Sequence, residues 1–211
     1  MGYSTLIGDR TTSGSIKNAV NWDRIDPVAI LDEAEKWIYS KLRTYDMMVV
    51  ESVAIAADAT SVSTPTGYLD PIQFAIPGVV NRLKHWDLQR FQTRLGWDSD
   101  AVLPVGPPTI FTRAGASILL NTKADQAYTG KLAFYKSPTP LSVDNEENWL
   151  TERYPSLLRR ATTMFAAEAR KEYDLYDRSE LRAMQAIDEI KKESDLNMRG
   201  MELDFNWEES Q

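Results

Sequence analysis

The sequence holds few of the side chains from which catalytic and metal sites are usually built. It contains no cysteine and a single histidine, His85. The lack of cysteine excludes disulfide scaffolds, thiolate metal sites and thiol nucleophiles, and one histidine cannot form a His-pair metal site. Gly14 is followed by Ser15 and not by the lysine that a phosphate-binding loop requires. We therefore expect no catalytic, cofactor or metal site.

Carboxylates are the remaining groups with the chemistry of a catalytic pair. Glycoside hydrolysis needs two of them at a set separation across a cleft. Two sets qualify by residue type, and they are Asp144 with Glu146 and Glu147, and Glu168 with Glu172. The second pair is one helical turn apart, as on a solvated helix face, and the first set precedes a predicted helix, where acidic residues are favoured. We expect no enzymatic activity, and a glycosidase remains the alternative.

A basic stretch over residues 81–94 is typical of a binding surface. Its cations Arg82, Lys84, Arg90 and Arg94 alternate with Trp86 and Phe91. Cations interleaved with aromatic rings suit a nucleic-acid backbone or single strand. The sequence therefore suggests a surface that binds a nucleic-acid single strand or backbone. The alternative is a solvated or subunit-facing helix whose aromatic residues belong to the core.

The last residues of the sequence alternate strictly between apolar and polar. Met201, Leu203, Phe205 and Trp207 fall on one side of an extended chain. Residues 193–211 contain one basic and six acidic side chains. We predict an extended docking arm over residues 200–211 that binds another subunit. An edge strand of the chain's own domain is the alternative.

Composition limits the class of protein. The 211 residues are 43% hydrophobic and 26% charged, which is typical of a soluble globular chain with one domain, or one domain carrying an insertion. The net charge of −7 argues against a protein that coats nucleic acid, because such surfaces are basic. No stretch has the roughly 20 apolar residues of a membrane span. We expect a protein that stays in the cytosol, or in something assembled there.

The pattern of the chain predicts an α+β fold that is mainly helical. Asp26-Pro27 is a helix start signal, and apolar residues follow at helical spacing to residue 44. Residues 46–136 are rich in β-branched residues and turns, which indicates a small antiparallel β unit with a short helix near residues 86–95. Residues 109–113 and 117–121 form a predicted hairpin around Ala114-Gly115-Ala116, and residues 128–135 alternate, with Tyr128, Leu132 and Phe134 on one face.

Two helices joined by a short polar turn are predicted to end the fold. The first opens at Tyr154-Pro155, and the second begins near Asp177, where Glu180 completes a capping-box pattern. Phe165 and Leu181 are expected in their shared core. The predicted organisation is a single α+β domain over residues 1–199, with helices at 15–44 and 146–199 and the β-rich insert at 46–136, followed by the arm at 200–211.

Several strings of the sequence, taken in order, resemble the head-to-tail adaptor (head-completion, connector) proteins of short-tailed, podovirus-type bacteriophages. Residues 30–43 are similar to the family's early helix, and Gly67-Tyr68-Leu69-Asp70 resembles the turn into its β section. The other similar strings are residues 106–111, 128–136, 140–142, 148–150 and 154–158. Together they cover roughly residues 25–195. Phe134 departs from the pattern, because it replaces the first of a usual pair of tyrosines.

This resemblance implies a structural virion protein. Such adaptors form a dodecameric ring that joins the portal vertex of the head to the tail and extends the DNA channel, at a head–tail junction assembled in the host cytoplasm. The implied partners are the portal protein, the tail nozzle or tube protein, neighbouring copies, and double-stranded DNA that passes without sequence-specific binding. The arm would bind the portal protein or a neighbouring subunit, and the basic stretch would face DNA or the tail. No membrane is implied. Some relatives are assigned cell-wall hydrolysis, so a virion-associated, muramidase-like peptidoglycan hydrolase is one alternative. An acidic protein-binding regulatory module is the other.

Overall fold

Residues 2–95 and 103–205 are described by the computed structural model. Within them the helices are α1 Tyr3–Leu6, α2 Ile16–Ala19, α3 Pro27–Lys41, α4 Leu88–Leu95, α5 Trp149–Arg153, α6 Pro155–Arg170 and α7 Tyr173–Phe205. The strands are β1 Met48–Ile55, β2 Ser61–Ser63, β3 Tyr68–Ala75, β4 Lys84–His85, β5 Ile110–Ala114, β6 Ser117–Leu120 and β7 Tyr128–Lys136. Helices and two sheets together confirm the predicted α+β class.

The described residues divide into two units. The first takes the chain up to Asp46 and again from Pro138 onward, and contains every helix except α4. The second unit is Met47–Ser137 and contains both sheets. The β-rich insert is expected over residues 46–136 of one domain, and the second unit covers residues 47–137.

Local capping signals explain where the helices of the first unit begin. The Asp26 carboxylate accepts hydrogen bonds from the backbone N–H groups of Val28 and Ala29, and Pro27 takes the first helical position, as predicted. Asn148 caps α5 in the same way and forms a capping box with Thr151. Pro155 then opens α6.

The turn between α6 and α7 lies earlier than predicted. Lys171 adopts the left-handed conformation (φ 62°, ψ 31°), and its N–H donates to the Glu168 carbonyl while that of Glu172 donates to Ala167. These two bonds form a Schellman motif, which ends a helix without needing a proline or a long loop. Helix α7 therefore begins at Tyr173. The start predicted at Asp177 is wrong, because that residue lies one turn inside the helix.

The core face of α7 also differs from the prediction. Leu181 is 62% exposed, and Phe165 of α6 is only half-buried, beside Trp37. The buried positions of α7 are mostly small or β-branched, namely Ser179, Ala183, Ala186, Ile187, Ile190 and Ser194. The small alanine and serine side chains leave α6 room to pack closely, and the buried positions nearest to Leu181 are Ser179 and Ala183, two residues away on either side.

The extended conformation predicted over residues 200–211 is wrong for residues 200–205. Helix α7 runs without a break through Gly200 to Phe205. Extending an existing helix is easier than starting another element, and the cost of one glycine, about 1 kcal/mol, does not end it. Met201, Leu203 and Phe205 therefore lie in α7, while Trp207 is outside the described residues.

Two sheets form the second unit. The first has the order β1-β7-β3 and is antiparallel, and the second has the order β2-β6-β5-β4. The predicted hairpin is confirmed as β5 and β6, with Gly115 at φ 61° in its turn. The pairing of β4 with β5 is parallel, so the unit is not wholly antiparallel as predicted.

Aromatic side chains hold the two sheets together. Phe74 of β3 meets Phe111 of β5 edge-on at 5.5 Å between ring centroids, and both rings are fully buried. Gly130 of β7 leaves room for Phe74, because a Cβ atom there would lie 2.5 Å from its ring. The predicted buried face of β7, with Tyr128, Leu132 and Phe134, is confirmed.

Candidate partner-binding surfaces

The basic stretch forms a groove on the second unit. Residues 84–85 form β4, whose pairing with β5 fixes the backbone on which Lys84 and His85 lie. Asp87 then starts α4, because its carboxylate accepts from the Arg90 N–H at 2.8 Å. Leu83 is buried, and its N–H donates to the Phe74 carbonyl at 2.7 Å. The short strand thus positions Lys84, and the helix positions Arg90.

We call this site, formed by Arg82, Lys84, Trp86 and Arg90, the basic groove. The Arg90 guanidinium lies 4.7 Å from the centre of the Trp86 ring, a cation–π contact. The cavity measures about 530 Å³, and its apolar floor includes Ile72. No acidic side chain appears among the described residues that line it. The groove therefore combines an apolar floor with a cationic rim.

The structure brings three of the four predicted cations together. Arg82, Lys84 and Arg90 all line the basic groove and are exposed, and Arg94 lies on the exposed side of α4 without lining it. Among the described residues, no ion pair neutralises any of the four. The alternative interpretation is correct for Phe91, which is 1% exposed and belongs to the core.

The acidic residues weighed as a catalytic pair have other contacts. Glu146 accepts hydrogen bonds from the backbone N–H and the hydroxyl of Ser4, and these bonds lower the pKa of its carboxyl group. A general acid in a glycosidase needs the opposite shift. Glu172 forms an ion pair with Arg170 at 3.2 Å, and Glu168 borders a pocket beside α3. Glu146 thus joins α1 to the segment before α5, whereas the ion pair of Glu172 is local to the turn after α6.

A buried carboxylate that sequence reasoning missed lies in α3. Glu35 is 3% exposed and accepts hydrogen bonds from the Tyr39 hydroxyl and the Leu141 N–H, each at 3.0 Å. Asn148 donates a third at 3.1 Å. Burial raises the pKa of Glu35, although these donors oppose the shift. Its position within the apolar stripe of α3 was the available signal. The side chain is enclosed, so its role is structural.

Apolar surface is exposed on two parts of the first unit. On α7, Tyr173 and Leu181 are 65% and 62% exposed. A pocket of about 620 Å³ lies between the start of α3 and the end of α6, lined by Trp22, Ile25 and Phe165 among others. Helix α6 packs against both α3 and α7. Exposed apolar side chains on α7 and a pocket between α3 and α6 therefore lie on different helices of one unit.

Comparison with known proteins identifies the family. The sequence model described as SU10 adaptor protein matches residues 1–203. No curated protein matches the sequence. Among the described residues, no helix has the length and apolar character to cross a bilayer, and no cluster of side chains suits a metal ion. The match covers nearly the whole chain and agrees with the resemblance to phage adaptors noted from the sequence. The chain therefore belongs to the SU10 adaptor protein family, a family of phage structural adaptors.

Proposed function

We propose that this protein forms a ring, dodecameric by resemblance, that joins the portal vertex of a phage head to the tail and extends the DNA channel. The observation that carries the proposal is the match of residues 1–203 to the adaptor family. The resemblance of residues 25–195 to adaptors of short-tailed phages supports the finer assignment. The protein would then reside at the head–tail junction of a virion assembled in the host cytoplasm.

The exposed apolar surfaces of the first unit support assembly into a ring. In a ring, each subunit presents one surface to the next and receives a different surface from the previous one. Tyr173 and Leu181 on α7 and the pocket lined by Trp22 and Phe165 are two such unlike surfaces. Charged side chains of both signs border each of them, with Arg24 and Glu168 at the pocket and Glu180 and Arg182 beside Leu181.

The charge of the chain supports a channel that does not grip DNA. At a net charge of −7 per copy, a ring would repel phosphates and let double-stranded DNA slide without sequence-specific binding. The portal protein and the tail nozzle or tube protein are the proposed partners at its two ends. The C-terminal residues Met201, Leu203, Phe205 and Trp207 are proposed to contact the portal or a neighbouring copy.

Reconstitution with the portal tests this function. The purified chain is mixed with portal rings of the same phage, and the mass and symmetry of the product are measured by mass photometry and electron microscopy. We expect a complex with one adaptor per portal subunit and a continuous axial channel. Absence of binding at micromolar concentration contradicts the proposal. Peptidoglycan turnover that disappears in a folded Glu146→Gln variant would favour the hydrolase instead.

A further inference from the structure

The basic groove is a cationic surface on an acidic chain. Arg82, Lys84 and Arg90 converge there, with no acidic side chain among the described lining residues. We propose that the groove binds residues 202–211, the acidic C-terminal segment, of a neighbouring copy of this chain. The proposal rests on the ring assembly proposed above, in which neighbouring copies are held side by side. It assigns one occupant to the groove and one destination to the segment.

Charge complementarity is the first argument for this pairing. Residues 202–211 contain four carboxylate side chains, Glu202, Asp204, Glu208 and Glu209, and no basic residue. The groove presents three exposed cations, and Arg94 lies nearby on α4. Complementary charges speed the encounter of two binding partners and fix how they align. The most acidic stretch of the sequence thus matches the most basic one.

The mixed character of both partners is the second argument. The segment places Leu203, Phe205 and Trp207 between its carboxylates. The groove offers an apolar floor with a Trp86–Arg90 platform at 4.7 Å beneath a cationic rim. An apolar side chain of the segment, such as Trp207, would use the floor while the acids use the rim. Duplex DNA presents phosphates to the rim and keeps its bases stacked inside, so it would leave the floor unused.

The length of α7 is the third argument. The last buried position on this helix among the described side chains is Ser194, whose hydroxyl accepts from the Tyr45 N–H at 2.9 Å. The helix continues for eleven residues to Phe205. At the helical rise these eleven residues span about 16 Å. A helix of this length gives the segment the reach to meet a second copy.

Charge reversal in the full chain tests the proposal. Variant one carries Arg82→Glu and Arg90→Glu, and variant two carries Glu202→Lys, Asp204→Lys, Glu208→Lys and Glu209→Lys. We expect each to weaken self-association, measured by sedimentation at low salt, by about tenfold or more. A third variant that combines both sets restores opposite charges and should recover most of the loss. Lys131→Glu, a charge reversal at an exposed lysine of the same unit, is the control and should have no effect.

Two further measurements separate the outcomes. A synthetic peptide of residues 200–211 and a short DNA duplex are each titrated into the wild-type chain and into variant one, after circular dichroism has confirmed the fold. Binding of the peptide, reduced about tenfold in variant one, supports the proposal. Binding of the duplex alone, or of neither probe, overturns it. If the wild-type chain forms no assembly, the proposed ring fails, and the peptide titration alone decides the groove.

Discussion

Asn148 joins two helices through one side chain. Its amide nitrogen donates to the Glu35 carboxylate of α3 at 3.1 Å, while its oxygen accepts from the first N–H groups of α5. The other Glu35 oxygen accepts from Leu141 N–H. A buried carboxylate thus ties α3 to the segment by which the chain returns from the second unit to the first.

Removal of this carboxylate is expected to destabilise the first unit. Glu35→Ala leaves the Tyr39 hydroxyl, the Leu141 N–H and the Asn148 amide without their acceptor inside the fold. The expected loss of unfolding free energy is about 3 kcal/mol. Thermal and urea unfolding measure it. Glu33→Ala, exposed on the same helix, is the control and should change stability by less than about 0.5 kcal/mol. Equal effects of the two substitutions would contradict the assigned role.

The raised pKa of Glu35 predicts a pH dependence of stability. Desolvation by burial raises this pKa above its ordinary value of 4.5, so the folded state holds the proton more strongly than the unfolded state. Stability from this group is therefore full below pH 4.5 and declines as pH rises to the folded pKa. Glu146, whose pKa is lowered by Ser4, acts in the opposite sense. We expect the difference in unfolding free energy between wild type and Glu35→Gln to change as pH rises from 4.5 to the folded pKa of Glu35. A difference that stays constant with pH would contradict this prediction.

The corrected core of α7 gives a paired prediction. Ile187 is fully buried, so Ile187→Ala should cost about 2–5 kcal/mol. Leu181→Ala should change stability by less than about 0.5 kcal/mol, because the side chain is 62% exposed. The expected fall in melting temperature for Ile187→Ala is roughly 2–4 °C per kcal/mol. Weakened self-association of the Leu181→Ala variant, at unchanged melting temperature, would support its place in a subunit contact.

The turn between α6 and α7 offers a stabilising substitution. Lys171 occupies a left-handed position, which costs a non-glycine residue roughly 1 kcal/mol. Lys171→Gly removes this cost and should raise the unfolding free energy by about 0.5–1 kcal/mol. Lys171→Ala also removes the charge but keeps a Cβ atom, so it should bring no such gain. Stabilisation by alanine as large as that by glycine would show that charge, not conformation, is responsible.

Removal of residues 200–211 tests the C-terminal segment as a whole. The deletion keeps the buried positions of α7 from Ser179 to Ser194, so we expect a nearly unchanged melting curve. The shortened chain should lose stable attachment to portal rings, because ring contacts repeated around the axis add up through avidity. Pull-down with portal and electron microscopy measure this. Normal decoration of portal, or unfolding of the shortened chain, counts against a docking role.

Elements with strong local signals were predictable from the sequence. Asp26-Pro27 marks the start of α3, because a carboxylate cap and a proline at the first position suit a helix and little else. Gly115 marks the turn between β5 and β6, and the alternation of apolar and polar residues marks β7 as a strand. These signals lie within a few residues of the structure that they specify.

The predictions failed where contacts between residues distant in sequence decide the structure, or where no local signal marks it. Lys171 ends α6 in a conformation that usually selects glycine, so no signal marked the turn. Leu181 fits the helical spacing, but the neighbouring helix packs on Ala183 and Ile187. In the candidate site, the spacing of Arg82, Lys84 and Arg90 identified the cations. Their convergence depends on the pairing of β4 with β5, which spans more than twenty residues of chain.

The pairing of β1 with β7 has a consequence for how the chain tolerates change. Met48 and Tyr135, near the first and last residues of the second unit, lie opposite each other in the sheet. Paired residues in antiparallel strands have Cα atoms about 4.5–5.5 Å apart. The first unit therefore has to hold two chain ends only one strand spacing apart, whatever is folded between them. Any folded unit whose two ends lie this close together could replace residues 47–137 without moving the chain ends of the first unit.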